Sequence, residues 1–428
     1  MLCHLLAFAV LAGVVVHELG RADAHVAAAP TPTPSPTATP TPTPTPAPAA
    51  TPPPVPAAGP GLAVGVTELN ANLIFSPATR DLPAPWSAAR DALGAIKPSF
   101  YRLVIDWASV QPSADAPADL SAPNGGCMRA IGPCLGYAGV RDQLRALASR
   151  QREGGWRALA VLTTTPDWAA APPAGCERPG TRDRNRPPRP DALAAYRQLI
   201  VDVLKAASEE GADLRFWSAW NEPNHPAFVS PQRATCDTTS PSLGAGPYGE
   251  LTRSLIQALA EAPGEQQIVL GETAGYLKPG RYASTVPEFI AGLPQDVVCA
   301  SSVWSQHAYI GGDDPVEPVA QALAARGCPH PFTIWITETG VGAAPSDLSV
   351  ADAIADEQEG CRKLHERLVT WFNDPRVTVA FQYTVREDDK FPTGLFSTDL
   401  STPRPTLGEW AAWGSGRDPL APPPPSAC

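Results

Sequence analysis

Between residues 61 and 418, short apolar runs alternate with longer stretches whose apolar residues recur every three or four positions. The runs are Leu62–Val66, Tyr101–Trp107, Ala158–Thr164, Leu214–Trp220, Gln267–Glu272, Ser302–Tyr309, Thr333–Glu338 and Val377–Thr384. Their length and their content of β-branched and aromatic residues predict strands. Amphipathic segments at Val140–Arg152, Asp191–Glu210, Tyr248–Ala262, Pro318–Arg326 and Val350–Phe372 predict helices between them. Pro226, Pro247 and Pro315 fall in the intervening loops. Strictly alternating β and α units imply an α/β fold with a parallel sheet, and eight of them imply a closed (β/α)8 TIM barrel. The body is longer than the roughly 250 residues typical of such barrels. The excess follows the second, third and fourth strands, at Gln111–Tyr137, Ala169–Pro190 and His225–Gly246. Barrel active sites are built from loops at that end of the strands.

The flanks read differently. Residues 1–24 look like a secretory signal peptide: Leu5–Val16 is apolar but too short to span a bilayer, and Ala22-Asp23-Ala24 is an A-x-A cleavage pattern. An uncleaved N-terminal anchor is the alternative. Residues 25–60 form a Pro/Thr-rich linker that buries almost nothing, so it is expected to be a disordered, extended tether open to O-glycosylation. Residues 419–428 make a similar Pro-rich tail ending in Cys428, where a half-cystine would pin it to the domain.

Composition narrows the function. The chain of 428 residues carries 52 prolines and a net charge of −11, a balance that argues against a nucleic-acid binder. No apolar run reaches the length of a bilayer span, so no membrane span is expected in the mature chain. The acidic, Pro-tethered design is read as a monomer. Of nine cysteines, Cys3 falls in the signal and eight remain, which in an exported chain predicts disulfides. Cys127, Cys134, Cys176 and Cys236 lie in the insertions and are expected to brace the loops around the cleft. Cys127–Cys134 is a short-range candidate pair, and proximity in the barrel order suggests Cys176–Cys236, Cys299–Cys328 and Cys361–Cys428. Gly244–Gly249 matches G-x-G-x-x-G, but it follows a loop rather than a strand, so it reads as the entry to a helix and not as a nucleotide site.

Two strand ends carry the chemistry. Trp217-Ser218-Ala219-Trp220-Asn221-Glu222-Pro223-Asn224 ends the fourth strand in a carboxylate, and Ile334-Trp335-Ile336-Thr337-Glu338-Thr339-Gly340 ends the seventh in another. Two carboxylates at one barrel mouth suit glycoside hydrolysis, one protonating the leaving oxygen and the other attacking the anomeric carbon or activating water. Glu272, ending the fifth strand, is the rival carboxylate, read as a substrate-binding or neighbouring group.

With these motifs the chain resembles glycoside hydrolase clan A, the retaining (β/α)8 enzymes that include families five and thirty-nine. The resemblance covers Gly61–Asp418, which it marks as the catalytic domain, and implies Glu222 as acid/base, Glu338 as nucleophile, and Asn221 on the sugar 2-hydroxyl. Arg102 in YRLVIDW resembles the clan's strand-two arginine beside the nucleophile, and His307 and Tyr309 in SQHAYI its strand-six pair. Trp168, in Thr165-Pro166-Asp167-Trp168, resembles a cleft-lining tryptophan. Many members carry a Trp under the sugar on strand eight. Here the run is Ala380-Phe381-Gln382-Tyr383-Thr384, so Gln382 or Tyr383 is expected to contact the sugar. Trp107, Trp220 and Trp304 are further candidates for aromatic cleft walls, and Glu387, Asp388 and Asp389 read mainly as a solvated loop.

The expected activity is that of a secreted retaining O-glycoside hydrolase acting on a polysaccharide or oligosaccharide, extracellular or held at a cell wall. A non-catalytic, wall-associated carbohydrate-binding barrel and a transglycosylase are the alternatives. No cofactor and no metal are expected, because the strand ends offer no evident ligand cluster.

Overall fold

The structure, a computed structural model, describes residues 61–77, 81–82, 84–122, 139–341, 357–387 and 392–428. The expected signal peptide and linker, the Cys127–Cys134 pair, Asp388 and Asp389 lie outside the described residues.

Among the described residues nine parallel strands form one sheet: β1 (Ala63–Thr67), β2 (Phe100–Asp106), β3 (Arg157–Thr163), β4 (Phe216–Ser218), β5 (Gln267–Ile268), β6 (Leu270–Thr273), β7 (Val303–His307), β8 (Thr333–Thr339) and β9 (Val377–Tyr383). Their order is β5-β4-β3-β2-β1-β9-β8-β7-β6. The two edges of that sheet are one strand interrupted at Val269, whose N–H donates to the Trp217 carbonyl at 2.8 Å. The sheet is therefore a nearly closed barrel with eight staves, and all eight predicted strands are present. Helices follow on the outside, at Gly139–Gly154, Leu193–Glu210, Ala245–Leu259, Val316–Ala324 and Glu357–Asn373 among others. The part of the last predicted helix before residue 357 lies outside the described residues. Ala84–Ile96 and Thr406–Trp413 are helices that the pattern did not reveal.

Alternation along the strands divides two cores. Phe100, Leu159, Val161, Val269, Val303, Trp335, Val379 and Phe381 fill the lumen. The Trp335 ring stands 5.1 Å from that of Phe100 and 5.0 Å from that of Phe216, so the lumen has an aromatic floor. Gly65 leaves room for it, because a Cβ there would sit 2.4 Å from the Phe381 ring. The outward-facing residues pack against the helices in a second, larger core. Trp107, Trp220 and Trp304 belong to that outer layer and are fully buried, so they form no cleft wall. An apolar strand residue in a barrel is covered on either face, so its hydrophobicity does not reveal which face it takes.

Among the described residues, three disulfides join Cys176 to Cys236, Cys299 to Cys328 and Cys361 to Cys428. The first ties the loop after β3 to the loop after β4. The second lies at the opposite end of the barrel, where chain enters β7 and β8, and braces no mouth loop. The third secures the tail to the helix Glu357–Asn373. Nearby, buried Glu409 accepts hydrogen bonds from Trp413 Nε1 (2.7 Å) and the Ala427 N–H (2.9 Å) and contacts His365 Nδ1 at 2.8 Å. The Cys361–Cys428 bond closes a loop across 67 positions. Replacing Cys428 with Ser is expected to cost about 2–5 kcal/mol, read as a lower urea midpoint under non-reducing conditions.

Candidate active site

Five strand ends bring their polar side chains to the top of the lumen. On β2, Arg102 shares the inward face with Phe100, which places a guanidinium above the aromatic floor. On β7, Ser305 and His307 follow Val303 at alternate positions and also point inward. Elsewhere alternation alone does not suffice. The pairing register slips between Gly271 and Thr273 on β6, and between Ile336 and Thr339 on β8. Gly271 and Glu272 both have positive φ, 96° and 54°. A Cβ at Gly271 would meet the Ser305 carbonyl at 2.4 Å, so the turn there requires glycine. These irregularities swing Glu272 and Glu338 into the lumen beside Thr337. Glu222 also has a left-handed backbone, with φ 41°, and its N–H donates to the Glu272 carbonyl at 2.8 Å.

The side chains form one ionic network. Arg102 Nη2 lies 2.5 Å from Glu272 Oε2 and Nη1 lies 2.8 Å from Glu338 Oε1. Nη2 also donates to Asn221 Oδ1 at 2.6 Å. His307 Nδ1 is 3.0 Å from Glu222 Oε1 and 3.3 Å from Glu338 Oε2, while its Nε2 is 3.3 Å from Glu272 Oε2. The Tyr309 hydroxyl donates to Glu338 Oε2 at 2.6 Å, and the Ser305 hydroxyl to Glu272 Oε1 at 2.5 Å. Facing atoms of Glu222, His307 and Glu338 all lie within 4.8 Å of one another. The Glu222 side chain is 16% exposed and that of Glu338 only 7%, so Glu222 is the carboxyl nearer the mouth.

Burial opposes every charge here, and the partners decide the outcome. For Arg102, the carboxylates of Glu272 and Glu338 outweigh burial and raise the guanidinium further. For Glu272, Arg102 and His307 outweigh burial and hold the carboxyl down at about 2. For His307, the charge of Glu338 and the hydrogen bonds to Glu222 and Glu272 overcome burial and push the imidazole up to about 10. Burial and the charge of Glu338 push the Tyr309 phenol well up, which keeps it an O–H donor. Glu222 and Glu338 face each other, so their ionisations belong to the pair. Burial lifts both. The hydrogen bond from His307 turns Glu222 downward, whereas Glu338, with the Glu222 charge added to burial, stays raised.

Most of the expected site residues meet here: Glu222, Glu338, Asn221, Arg102, His307 and Tyr309. Tyr383 is half-buried, and its phenol interacts electrostatically with Arg102 and Tyr309. Gln382 is a correction. It is fully buried on the outward face, and its amide donates to the Thr384 and Thr393 carbonyls at 3.1 and 2.5 Å. It holds a loop and does not reach the lumen. Trp168 is half-buried, edge-on to Trp107, with Nε1 donating to the Gln111 carbonyl at 2.9 Å. It stands by the loops after β2 and β3, where a cavity of about 570 Å³ is lined by Ser109, Asp167, Arg182, Asp183 and Arg184, among others. Glu387 is ion-paired to Arg404 at 2.6 Å and is not a free acid.

Sequence reasoning missed the anchoring role of Glu272 and the part of Ser305. The first had a signal in its position at a strand end, the second in its i,i+2 spacing from His307. A ligand cluster was not evident at the strand ends either, yet the fold gathers Glu222, His307 and Glu338 closely enough to hold a metal ion. Both His307 ring nitrogens already face carboxylates and Arg102 stands against Glu338, so a further cation there would meet positive charge, which makes the set a poor fit for one.

No protein-family model matches the chain, and no curated protein matches it in sequence. Solved structures do match in fold. An endo-β-1,6-glucanase is 14% identical with a TM-score of 0.53, covering 86% of this chain and 79% of its own. The GH53 catalytic domain of Ignisphaera aggregans is 15% identical with a TM-score of 0.51, covering 83% and 97%. A GH5_18 protein from Bifidobacterium longum subsp. infantis is 16% identical with a TM-score of 0.51, covering 85% and 80%. At these identities the likeness is one of fold: the chain shares a parallel α/β barrel with these structures.

Two stability predictions follow from the network. Arg102→Ala leaves two buried carboxylates without their cation and is expected to cost about 3–5 kcal/mol in denaturant unfolding. For His307, whose ordinary value is 6.5, the raised group stabilises the fold fully below about 6.5, and that share fades as pH rises through about 10. Thermal melts of wild type and His307→Gln are therefore expected to differ most near pH 6 and to converge toward pH 10.

Proposed function

We propose that the chain is a retaining glycoside hydrolase, with Glu338 as nucleophile and Glu222 as general acid/base. The observation that carries this reading is the pair of lumen carboxyls with facing oxygens within 4.8 Å. Retaining enzymes hold their carboxyls about 5–5.5 Å apart, and inverting ones about 6.5–9.5 Å to admit a water. The shared barrel fold is consistent with it, and the three disulfides favour a secreted, extracellular location.

Each partner has a task in this reading. Arg102 and Tyr309 hold the Glu338 carboxylate in place for attack on the anomeric carbon. As that bond forms, Glu222 gives its proton to the glycosidic oxygen and the leaving group departs. In the second step Glu222 takes a proton from water, the water oxygen attacks the same carbon, and Glu338 is released. The hydrogen bond from His307 occupies Glu222 Oε1, so Oε2 is the oxygen that carries the transferred proton. The reaction needs Glu338 ionised and Glu222 protonated, the reverse of the order that His307 sets when it faces Glu222. His307 Nδ1 stands 3.0 Å from Glu222 Oε1 and 3.3 Å from Glu338 Oε2, so its charge acts on both carboxyls. With Oδ1 held by Arg102, Asn221 offers its amide N–H to a sugar hydroxyl. Tyr383 and Trp168 are the remaining candidates for sugar contact.

Glu222→Ala is expected to lower kcat by about 10²–10⁴-fold on substrates with poor leaving groups, and Glu338→Ala by at least as much. Added azide should restore activity to both, giving inverted product with Glu338→Ala and retained product with Glu222→Ala. Full activity in both variants refutes the assignment. His307→Gln removes a cation from beside both carboxyls and so raises both. The two limbs of the kcat/KM–pH profile are expected to move to higher pH together.

A further inference from the structure

The rim beside Glu222 is built more firmly than a surface loop requires. The loops after β4 and β6 are joined by fully buried Asn224, whose Nδ2 donates to the Ala274 and Ser284 carbonyls at 2.9 and 3.1 Å, while its Oδ1 accepts the Ala274 N–H at 2.8 Å. Gln232, also fully buried, donates to the Pro223 carbonyl and accepts from the Ser284 hydroxyl. Buried Arg233 reaches the Gly280 carbonyl at 2.8 Å and Glu288 at 2.8 Å. The Cys176–Cys236 disulfide ties the loop after β3 to the same body.

What this framework holds in place is a pair of rings. His225 and Tyr276, one from each loop, stack with centroids 5.6 Å apart and planes 10° from parallel, and Phe228 packs against His225 at 5.8 Å. None of the three is fully covered. The Ala227 N–H donates to His225 Nδ1 at 3.0 Å and fixes the ring's orientation. His225 Nδ1 stands 3.9 Å from Glu222 Oε2, the oxygen that carries the transferred proton.

That position fixes a direction. Glu338 and its partners Arg102 and Tyr309 lie on the side of the sugar that is attacked. The acid touches the departing oxygen, so whatever lies beyond Glu222 toward His225 is the departing part of the substrate. Pyranose rings present apolar C–H faces that suit aromatic rings. We infer that His225, Tyr276 and Phe228 form the binding wall for the leaving group, and that this leaving group is itself a sugar. The inference rests on the glycosidase reading and deepens it: the bond cleaved joins two sugars.

The test uses the full chain and compares two leaving groups on one glycone. The probes are gluco-, xylo-, manno- and galacto-oligosaccharides and the matching glycosyl fluorides, in which fluoride departs without touching the wall. The expected result is that Tyr276→Ala and His225→Ala each lower the ratio of oligosaccharide to fluoride kcat/KM by about tenfold or more. The ratio is insensitive to the fraction of folded protein. An unchanged ratio in both variants overturns the inference. So does a wild type that hydrolyses fluorides but no oligosaccharide, which leaves the glycosidase reading standing. A wild type that hydrolyses neither overturns that reading as well.

Discussion

The charge balance at the top of the lumen governs this molecule. Arg102 and His307 confront Glu222, Glu272 and Glu338 above an aromatic floor, two cations against three carboxylates. Removing such ions from water costs several kcal/mol each, and only close pairing returns it. The pairing here leaves little slack. Arg102 uses one fork for Glu272 and Asn221 and the other arm for Glu338, while His307 touches all three acids. Once Arg102 is placed, the positions of Asn221, Glu272 and Glu338 follow from it. The barrel makes this possible because its strand ends converge on one small volume. The slipped registers on β6 and β8 are the local adjustments that let two more carboxylates into it.

Much of this was legible in the chain. The eight apolar runs, the helical stretches between them and the two Glu-ending strands led to the fold, and the barrel order led to three cysteine pairs. What was not legible has a common cause. In a strand covered on both faces, polarity no longer tells inside from outside. Gln382 looked as ready for the sugar as Tyr383, yet one faces the helices and the other the lumen. Trp107, Trp220 and Trp304 were hidden by the same ambiguity. Glu272 was visible as a strand-end acid, but its work as the anchor of Arg102 depends on a register slip that no local pattern announces.

The molecule also separates its duties by layer. Residues on the staves hold the charges, and the irregular segments above hold the surfaces a ligand would meet. Those segments are not loose. Asn224, Gln232 and Arg233 are buried polar residues committed to neighbouring backbone, and a disulfide adds a third loop to the same body. A rim of this kind presents its aromatic rings already oriented, so little ordering remains to be done on binding.

Glu222 and Glu272 both occupy left-handed backbone, a conformation that costs a residue with a side chain on the order of 1–3 kcal/mol. Glycine would relax the backbone at either position, but at Glu272 it would strip Arg102 of its buried partner, a larger loss than the strain relieved. At Glu222, the more exposed acid, the contact with His307 stands against that relief. A library of variants sorted only for survival at high temperature would therefore keep Glu272 and put Glu222 at risk. Any programme to harden this barrel has to hold those codons constant and look for its gains among the helices and the tail.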